Sequence, residues 1–215
     1  RGLAETLNRG LRVATFIALP CTVGLMLVAE PLVRVMFERG RFSPDDTPRV
    51  AMLTCVYTAG LAGYATLHLV TRAFFALKET RLPVKLSAAA AGLNLVLNLV
   101  LIWPFGVQGL ALATVIAAAA QVLALVLLLR RRIGRLGLRR YVAGLLRTSL
   151  ATGDMAAAAW AAMRAAAWTG WEGDSTRQAV VTVVAGVVSG AAAFVAAARL
   201  MRMSELSEAL SRGRS

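Results

Sequence analysis

Long apolar runs constrain this chain more than any other feature of its sequence. Residues 14–29, 84–102, 109–129 and 178–198 each form a run with almost no charge. A helix of about 20 such residues crosses the roughly 30 Å hydrocarbon core of a bilayer. The composition agrees, because 58% of the residues are hydrophobic and 16% are charged, against about 45–50% and about 25% in soluble domains. These features exclude a water-soluble enzyme, a disordered tail and a secreted disulfide scaffold.

The runs predict an all-α polytopic membrane protein with six transmembrane helices. The expected spans are residues 13–37, 50–76, 84–103, 109–129, 141–168 and 178–198. Pro31 interrupts the first span, and we expect the helix to bend or end there because proline removes a backbone donor. The segment Ser43-Pro44-Asp45-Asp46 is typical of a helix start, with Ser43 as the cap. The fifth span is the least apolar, since it contains Arg147, Asp154 and Arg164.

The distribution of positive charge predicts the orientation. The net charge is +13, and 18 of the 24 Lys and Arg residues fall on one side of the six spans. Cytoplasmic loops carry the excess of Lys and Arg, so both ends of this segment are expected in the cytoplasm. The expected organisation is a cytoplasmic segment at 1–12, four transmembrane helices at 13–129, a basic cytoplasmic linker at 130–147, two additional transmembrane helices at 148–198 and a cytoplasmic amphipathic tail at 199–215.

Polar residues recur at helical spacing in three successive spans. In a bilayer such residues mark the faces that meet other protein or a water-filled cavity. They support two interpretations: the residues form hydrogen bonds that hold the bundle together, or they line a substrate path. Arg72 likewise has two possible roles, since it can contact a phosphate or extend to the lipid headgroups. The candidate path residues are Tyr57, Tyr64, His68 and Arg72 in the second span, Asn94 and Asn98 (with Ser87) in the third, and Thr114 and Gln121 in the fourth.

Other chemistry-bearing residues indicate packing rather than catalysis. Arg147 and Asp154 lie seven residues apart and form a candidate intramembrane ion pair, with a proton or coupling-ion site at Asp154 as the alternative. His68 is the single histidine and has no partners at ligand spacing, so no metal site and no cofactor are expected. Cys21 and Cys55 are expected as small buried hydrophobic residues. Gly186 and Gly190 form a GxxxG pair, which is a common helix-packing surface. No catalytic motif is present, and we expect no enzyme activity.

Residues 19–42, LPCTVGLMLVAEPLVRVMFERGRF, resemble the ninth helix and following loop of the lipid II flippases of the MurJ/MviN family. Residues 72–85, RAFFALKETRLPVK, are similar to that family's FYAxxDTxTPVK loop. LNLVLN at 93–98 and GLALAT at 109–114 follow in the same order. The departures are mild: Phe75 replaces Tyr, Glu79 replaces Asp and Leu82 replaces Thr.

The resemblance implies a fold and a function. The family is part of the multidrug/oligosaccharidyl-lipid/polysaccharide exporter superfamily. Its members would have fourteen helices, namely two lobes of six helices each and two extra helices. This chain would then supply helices nine to fourteen, with residues 13–129 in the second lobe. The implied partners are a lipid-linked peptidoglycan precursor, anionic membrane lipids and further N-terminal helices of the same chain, with no nucleic acid. The fifth and sixth spans would correspond to a lipid-facing groove thought to accommodate the polyprenyl tail.

The function expected from the resemblance is that of the C-terminal part of a lipid II flippase in the bacterial cytoplasmic (inner) membrane. Cargo linked to undecaprenyl pyrophosphate would move from the inner to the outer leaflet by alternating access between lobes. Two alternatives remain at this level. The first is another exporter of the superfamily, for polysaccharide-linked lipid or for drugs coupled to a cation. The second is a structural membrane subunit that transports nothing.

Overall fold

The computed structural model describes residues 2–133, 138–168, 175–201 and 203. Within these residues the chain is helical, with no strand. The helices are α1 (Gly2–Phe37), α2 (Thr47–Ala59), α3 (Leu61–Ala76), α4 (Arg81–Phe105), α5 (Val107–Ile133), α6 (Leu138–Trp168) and α7 (Ser175–Leu200).

Five of the six expected spans are confirmed as helical stretches long and apolar enough to cross a membrane: Glu5–Phe37, Thr47–Ala76, Arg81–Phe105, Val107–Arg132 and Thr176–Leu200. The fifth expected span also forms a helix, α6, whose 31 residues measure about 46 Å at 1.5 Å per residue. It is absent from that apolar set, and it contains Arg147, Asp154 and Arg164. That α6 crosses the membrane stays a prediction.

The first helix does not end at its proline. α1 runs unbroken through both Pro20 and Pro31 and ends only at Phe37. The helix therefore does not end at Pro31, the turn begins at Glu38, and a bend at Pro31 stays a prediction. Membrane helices tolerate proline because the one lost hydrogen bond is small beside the cost of leaving a whole backbone segment unpaired in hydrocarbon.

The second span begins later than the Ser43 motif predicts and contains a break. Ser43 donates from its backbone N–H (3.1 Å) and its hydroxyl (2.9 Å) to Oδ2 of Asp46, and the helix starts at Thr47. Ser43 therefore closes a turn before the helix instead of capping it. Gly60 separates α2 from α3, although its carbonyl still accepts the Tyr64 N–H at 3.0 Å.

The connection between α4 and α5 is shorter than the five-residue turn at 104–108 that the sequence indicates. α4 continues through Pro104 to Phe105, and Gly106 alone joins it to α5. Gly106 has φ +57° and ψ −136°, a combination that residues with a Cβ rarely adopt. The backbone therefore reverses at one glycine, and α4 and α5 pack directly against each other as a hairpin.

The chain divides into two compact units: residues 1–18 with 59–145, and residues 19–58 with 146–215. In the first unit, the start of α1, α3 and α5 share an apolar core of Leu7, Val70, Phe74, Leu125 and Leu129, each 6% exposed or less. The apolar residues of α4 are in contrast widely exposed, with Trp103 at 89%. An apolar face of this extent is expected where lipid replaces water as the solvent.

In the second unit, α6 packs on the GxxxG face of α7. A Cβ built on Gly190 would lie 3.3 Å from the Cβ of Ala159, and one on Gly186 would lie 2.8 Å from Cγ of Met163. The packing role expected for this glycine pair is confirmed, because a side chain at Gly186 would overlap Met163 and one at Gly190 would press on Ala159. A smaller cluster of Ala29, Val33 and Ala51 joins α1 to α2.

The predicted amphipathic tail at 199–215 lies outside the described residues, apart from residues 199–201 and 203. In the predicted basic linker at 130–147, the described parts are helical, because α5 extends to Ile133 and α6 begins at Leu138.

Candidate functional site

The polar residues predicted on α4 and α5 meet in one hydrogen-bonded seam. Asn94 Nδ2 donates to the Thr114 hydroxyl at 3.3 Å, and Thr114 donates in turn to the Leu110 carbonyl at 3.0 Å. Asn98 Nδ2 donates to Oδ1 of Asn94 at 3.0 Å. Asn94, Asn98 and Thr114, three of the candidate path residues, therefore form one hydrogen-bonded network between two apolar helices.

This α4–α5 seam is not fully satisfied. Oδ1 of Asn98 is buried and has no hydrogen-bond partner among the described residues. Nearer the cytoplasmic end predicted from the charges, Gln121 donates to the Ser87 hydroxyl at 2.9 Å. The seam can therefore hold the hairpin together and still offer one amide oxygen to a further donor.

The candidate residues of the second span do not join this seam. His68 and Arg72 are exposed on α3, and Tyr64 is half-buried. Within the described part of the chain, no side-chain hydrogen bond or ion pair reaches any of these three. Tyr57 lies before the Gly60 break and is 46% exposed. These side chains remain available to a ligand.

The turn between α3 and α4 contains an ion pair that was not predicted from the sequence. Lys78 adopts φ +59°, and the Glu79 and Lys78 amides donate to the carbonyls of Phe74 and Phe75 at 3.0 and 2.9 Å. This is a Schellman cap with lysine where glycine is usual. It presents Glu79 to Arg132 of α5, with Nη2 3.1 Å from Oε1. In the sequence, Glu79 is visible as the one acidic residue of the basic segment 72–85. Its partner Arg132 lies 53 residues away, so the pair itself could not be predicted.

The candidate pair Arg147 and Asp154 is exposed at both members. No ion pair within 4 Å involves either side chain in the described residues. Seven residues of helix separate them by about 10 Å along the axis, so pairing would need both side chains to extend toward each other.

An apolar groove of about 360 Å³ lies in the second unit between α1, α6 and α7. Small residues of α1 and α7 form much of its wall, including Gly24, Gly186, Gly190 and Ala191. Cys21 also lines it and is exposed, so the expectation that Cys21 is buried is wrong. Both cysteines are free, and the Cys55 thiol points to the Met26 carbonyl at 3.8 Å.

A second cavity, of about 340 Å³, lies at the ends of the same three helices. It is polar, and Arg34, Arg164, Gln178 and Thr182 contribute to its wall. The guanidinium of Arg164 lies over the Trp160 ring, 5.1 Å from its centre. Trp160 and Arg164 stand four apart on one helix face, but nothing in the sequence pattern groups them with Arg34 of α1.

No cluster of three or more His, Cys, Asp or Glu side chains suited to a metal ion occurs among the described residues. Immediately outside the helices, the pKa of Asp46 is lowered, first by the Ser43 hydroxyl and then by the Ser43 amide. Asp46 therefore belongs to the turn before α2 rather than to a candidate site.

Helices long and apolar enough to cross a membrane, two of them joined by hydrogen-bonded polar residues, define a multi-pass helical membrane protein. A solved structure described as "Lipid II flippase MurJ, inward closed conformation" superposes with a TM-score of 0.69 at 23% identity, covering 93% of this chain and 40% of that one. This likeness establishes the fold.

Sequence comparison then establishes the family. The model of the family described as Lipid II flippase MurJ matches residues 2–200, and the chain belongs to that family. A probable lipid II flippase MurJ of Vibrio cholerae is 33% identical over 117 residues, which are 54% of this chain and 22% of that protein. A lipid II flippase MurJ of Thermosipho africanus is 32% identical over 117 residues, 54% of this chain and 25% of that protein.

These matches span about a quarter of each relative's length. The family is one of transporters and not of enzymes. The resemblance seen in the sequence motifs is thereby confirmed.

Proposed function

We propose that this chain is the C-terminal part of a flippase that moves a lipid-linked peptidoglycan precursor from the inner to the outer leaflet of the bacterial inner membrane. The observation that supports the proposal is the match of the MurJ family across residues 2–200. The chemistry required is binding and release, because no covalent bond of the cargo changes during flipping. Transport then depends on two arrangements of the protein that bind the cargo differently.

The apolar groove between α1, α6 and α7 is the proposed site for the isoprenoid chain of the cargo. Its wall carries little polar surface, which suits a hydrocarbon chain and not a sugar or peptide. A groove of about 360 Å³ is in the usual range of roughly 300–1,000 Å³ for ligand sites, so it holds a segment of a long chain rather than all of it. The charged headgroup would require the helices that precede this chain.

We further propose that both ends of this segment face the cytoplasm and that α6 completes six crossings. The Lys and Arg excess supports this orientation, since 18 of 24 lie on one side if α6 spans the bilayer. Arg72, Lys78, Arg81 and Arg132 then lie at the cytoplasmic surface, where anionic lipids attract them. A cysteine scan with a membrane-impermeant thiol reagent tests this orientation in intact cells, using Arg41→Cys and Lys78→Cys in a variant without native cysteines.

The function is tested by expressing the full-length gene in cells depleted of their own flippase. Restored growth and peptidoglycan synthesis is the expected result. If the full-length protein reaches the membrane but does not restore synthesis, the proposed peptidoglycan-precursor cargo is refuted. The protein is then another exporter of the superfamily or a structural membrane subunit.

The groove is tested in the same cells with two neighbouring substitutions on α7. Ala191→Phe places a ring in the groove, whereas Ala192→Phe adds the same ring at an exposed position that does not line it. We expect the first to reduce flipping several-fold and the second to leave it near the wild-type rate. Equal effects of the two variants would contradict the groove assignment.

A further inference from the structure

The polar cavity at the ends of α1, α6 and α7 is not used by the proposed flipping mechanism. Its wall combines two guanidinium groups, an aromatic ring and two uncharged polar side chains, and the ends of three helices meet there. We propose that this cavity is a binding site for the phosphate of a membrane glycerophospholipid, whose acyl chains lie in the surrounding bilayer.

Arg164 carries the main argument. Its Cζ lies over the Trp160 ring, 5.1 Å from the ring centre, a cation–π contact that holds the group at the wall of the cavity. Among the described residues no acid or carbonyl accepts from its N–H groups. A guanidinium whose donors have no protein acceptor among the described residues matches the paired oxygens of a phosphate.

Arg34 supplies a second, fixed cation in the same cavity. Its Nη2 lies 3.6 Å from Glu30 and its Nε 3.3 Å from Glu38, so two carboxylates hold the side chain in place. Glu38 is anchored in turn by the buried Thr47 hydroxyl, 3.3 Å away. Arg34, Arg164 and Glu30 line the cavity, and since Glu30 and Glu38 flank Arg34, Arg164 is the arginine of this wall that keeps its charge for a phosphate.

The position of the cavity points to a lipid rather than to a soluble anion. Trp160 and Trp168 of α6 are 55% and 87% exposed, and exposed tryptophan is enriched at the level of the lipid headgroups. Met163 lines the polar cavity and packs on Gly186, which lines the apolar groove. A phosphate in this cavity therefore lies at the level of the lipid headgroups, with its acyl chains in the surrounding bilayer.

The test measures lipid binding and not transport, so its outcome is independent of the proposed function. Delipidated full-length protein is titrated in detergent with phosphatidylglycerol, and the bound lipid is counted by native mass spectrometry. Diacylglycerol with the same chains is the ligand control, and inorganic phosphate is the competitor. The protein variants are Arg164→Ala, Arg164→Lys and the control Arg41→Ala, which removes an exposed arginine from a loop.

We expect one phosphatidylglycerol site that Arg164→Ala weakens about tenfold, the effect of losing charge-assisted hydrogen bonds. Arg164→Lys should weaken it less, since lysine keeps the charge but loses the paired donors, and Arg41→Ala should leave it unchanged. If Arg164→Ala fails to fold, wild-type affinity in Arg164→Lys overturns the proposal. Equally tight binding of diacylglycerol overturns the phosphate contact, and displacement by equimolar inorganic phosphate overturns the lipid as occupant.

Discussion

Gly109 is the position where the packing of α4 against α5 is tightest. A Cβ built there would lie 2.6 Å from the carbonyl carbon of Leu101 and closer still to the carbonyl oxygen. Ordinary carbon–oxygen contacts of this kind are about 3.3–3.6 Å. The obstacle is backbone rather than a flexible side chain, so Gly109→Ala requires the two helices to move apart.

The size of the effect follows from three terms. Overpacking of a tight contact costs about 1–3 kcal/mol, while replacing a helical glycine by alanine returns about 0.5–1 kcal/mol. Separation also stretches the 3.3 Å hydrogen bond from Asn94 to Thr114, and bonds between membrane helices contribute about 0.6 kcal/mol each. We expect Gly109→Ala to destabilise the protein by about 2 kcal/mol, from the middle of the overpacking range.

The measurement is thermal unfolding of the full-length protein in detergent, with Gly92→Ala as the matched control. Gly92 also lies within the hairpin, on α4, but a Cβ there meets nothing within 4 Å. Gly92→Ala should therefore match or slightly exceed the stability of the wild type. If Gly109→Ala melts as high as Gly92→Ala, the close approach of α4 and α5 at this level is refuted.

Three further predictions use the same unfolding measurement. Lys78→Gly should stabilise the α3–α4 turn by about 1 kcal/mol, because glycine adopts positive φ without strain; a lower melting temperature would contradict the Schellman cap. Asn94→Ala and Thr114→Ala should show a coupling of about 0.6 kcal/mol in a double-mutant cycle, and additive effects would show that the bond contributes nothing. The pKa of Asp46 is lowered, chiefly by Ser43, so the ionised carboxylate stabilises the fold above its ordinary pKa of 3.8, and this stabilisation is lost as the pH falls. Ser43→Ala should therefore reduce the loss of stability at acid pH. An unchanged pH profile of the melting temperature would contradict the role of Ser43.

The sequence by itself determined the class of protein and much of its layout. The run at 109–129 has no charge and cannot fold stably in water as an exposed helix, so a bilayer follows from local composition. The period of Asn94 and Asn98 placed them on one face of a helix without any structure. The motifs at 19–42 and 72–85 likewise indicated the family that the comparisons confirm.

Tertiary structure decided which faces meet. Helical periodicity defines a face but not its neighbour, so three polar stripes looked equivalent in the sequence. In the fold, the stripes of α4 and α5 bond to each other while His68 and Arg72 stay exposed. Likewise Pro31 lies within a continuous helix, because the bilayer penalises an unpaired backbone more than one missing bond.

The polar cavity is the clearest case in which tertiary structure brings together residues that the sequence keeps apart. Arg34 and Arg164 stand 130 positions apart in the sequence, and each reads there as an isolated charge. They line one cavity because α6 packs on the glycines of α7 beside the end of α1. Local sequence fixes which residues are helical and which are apolar, whereas close packing between distant helices decides which charges share a site.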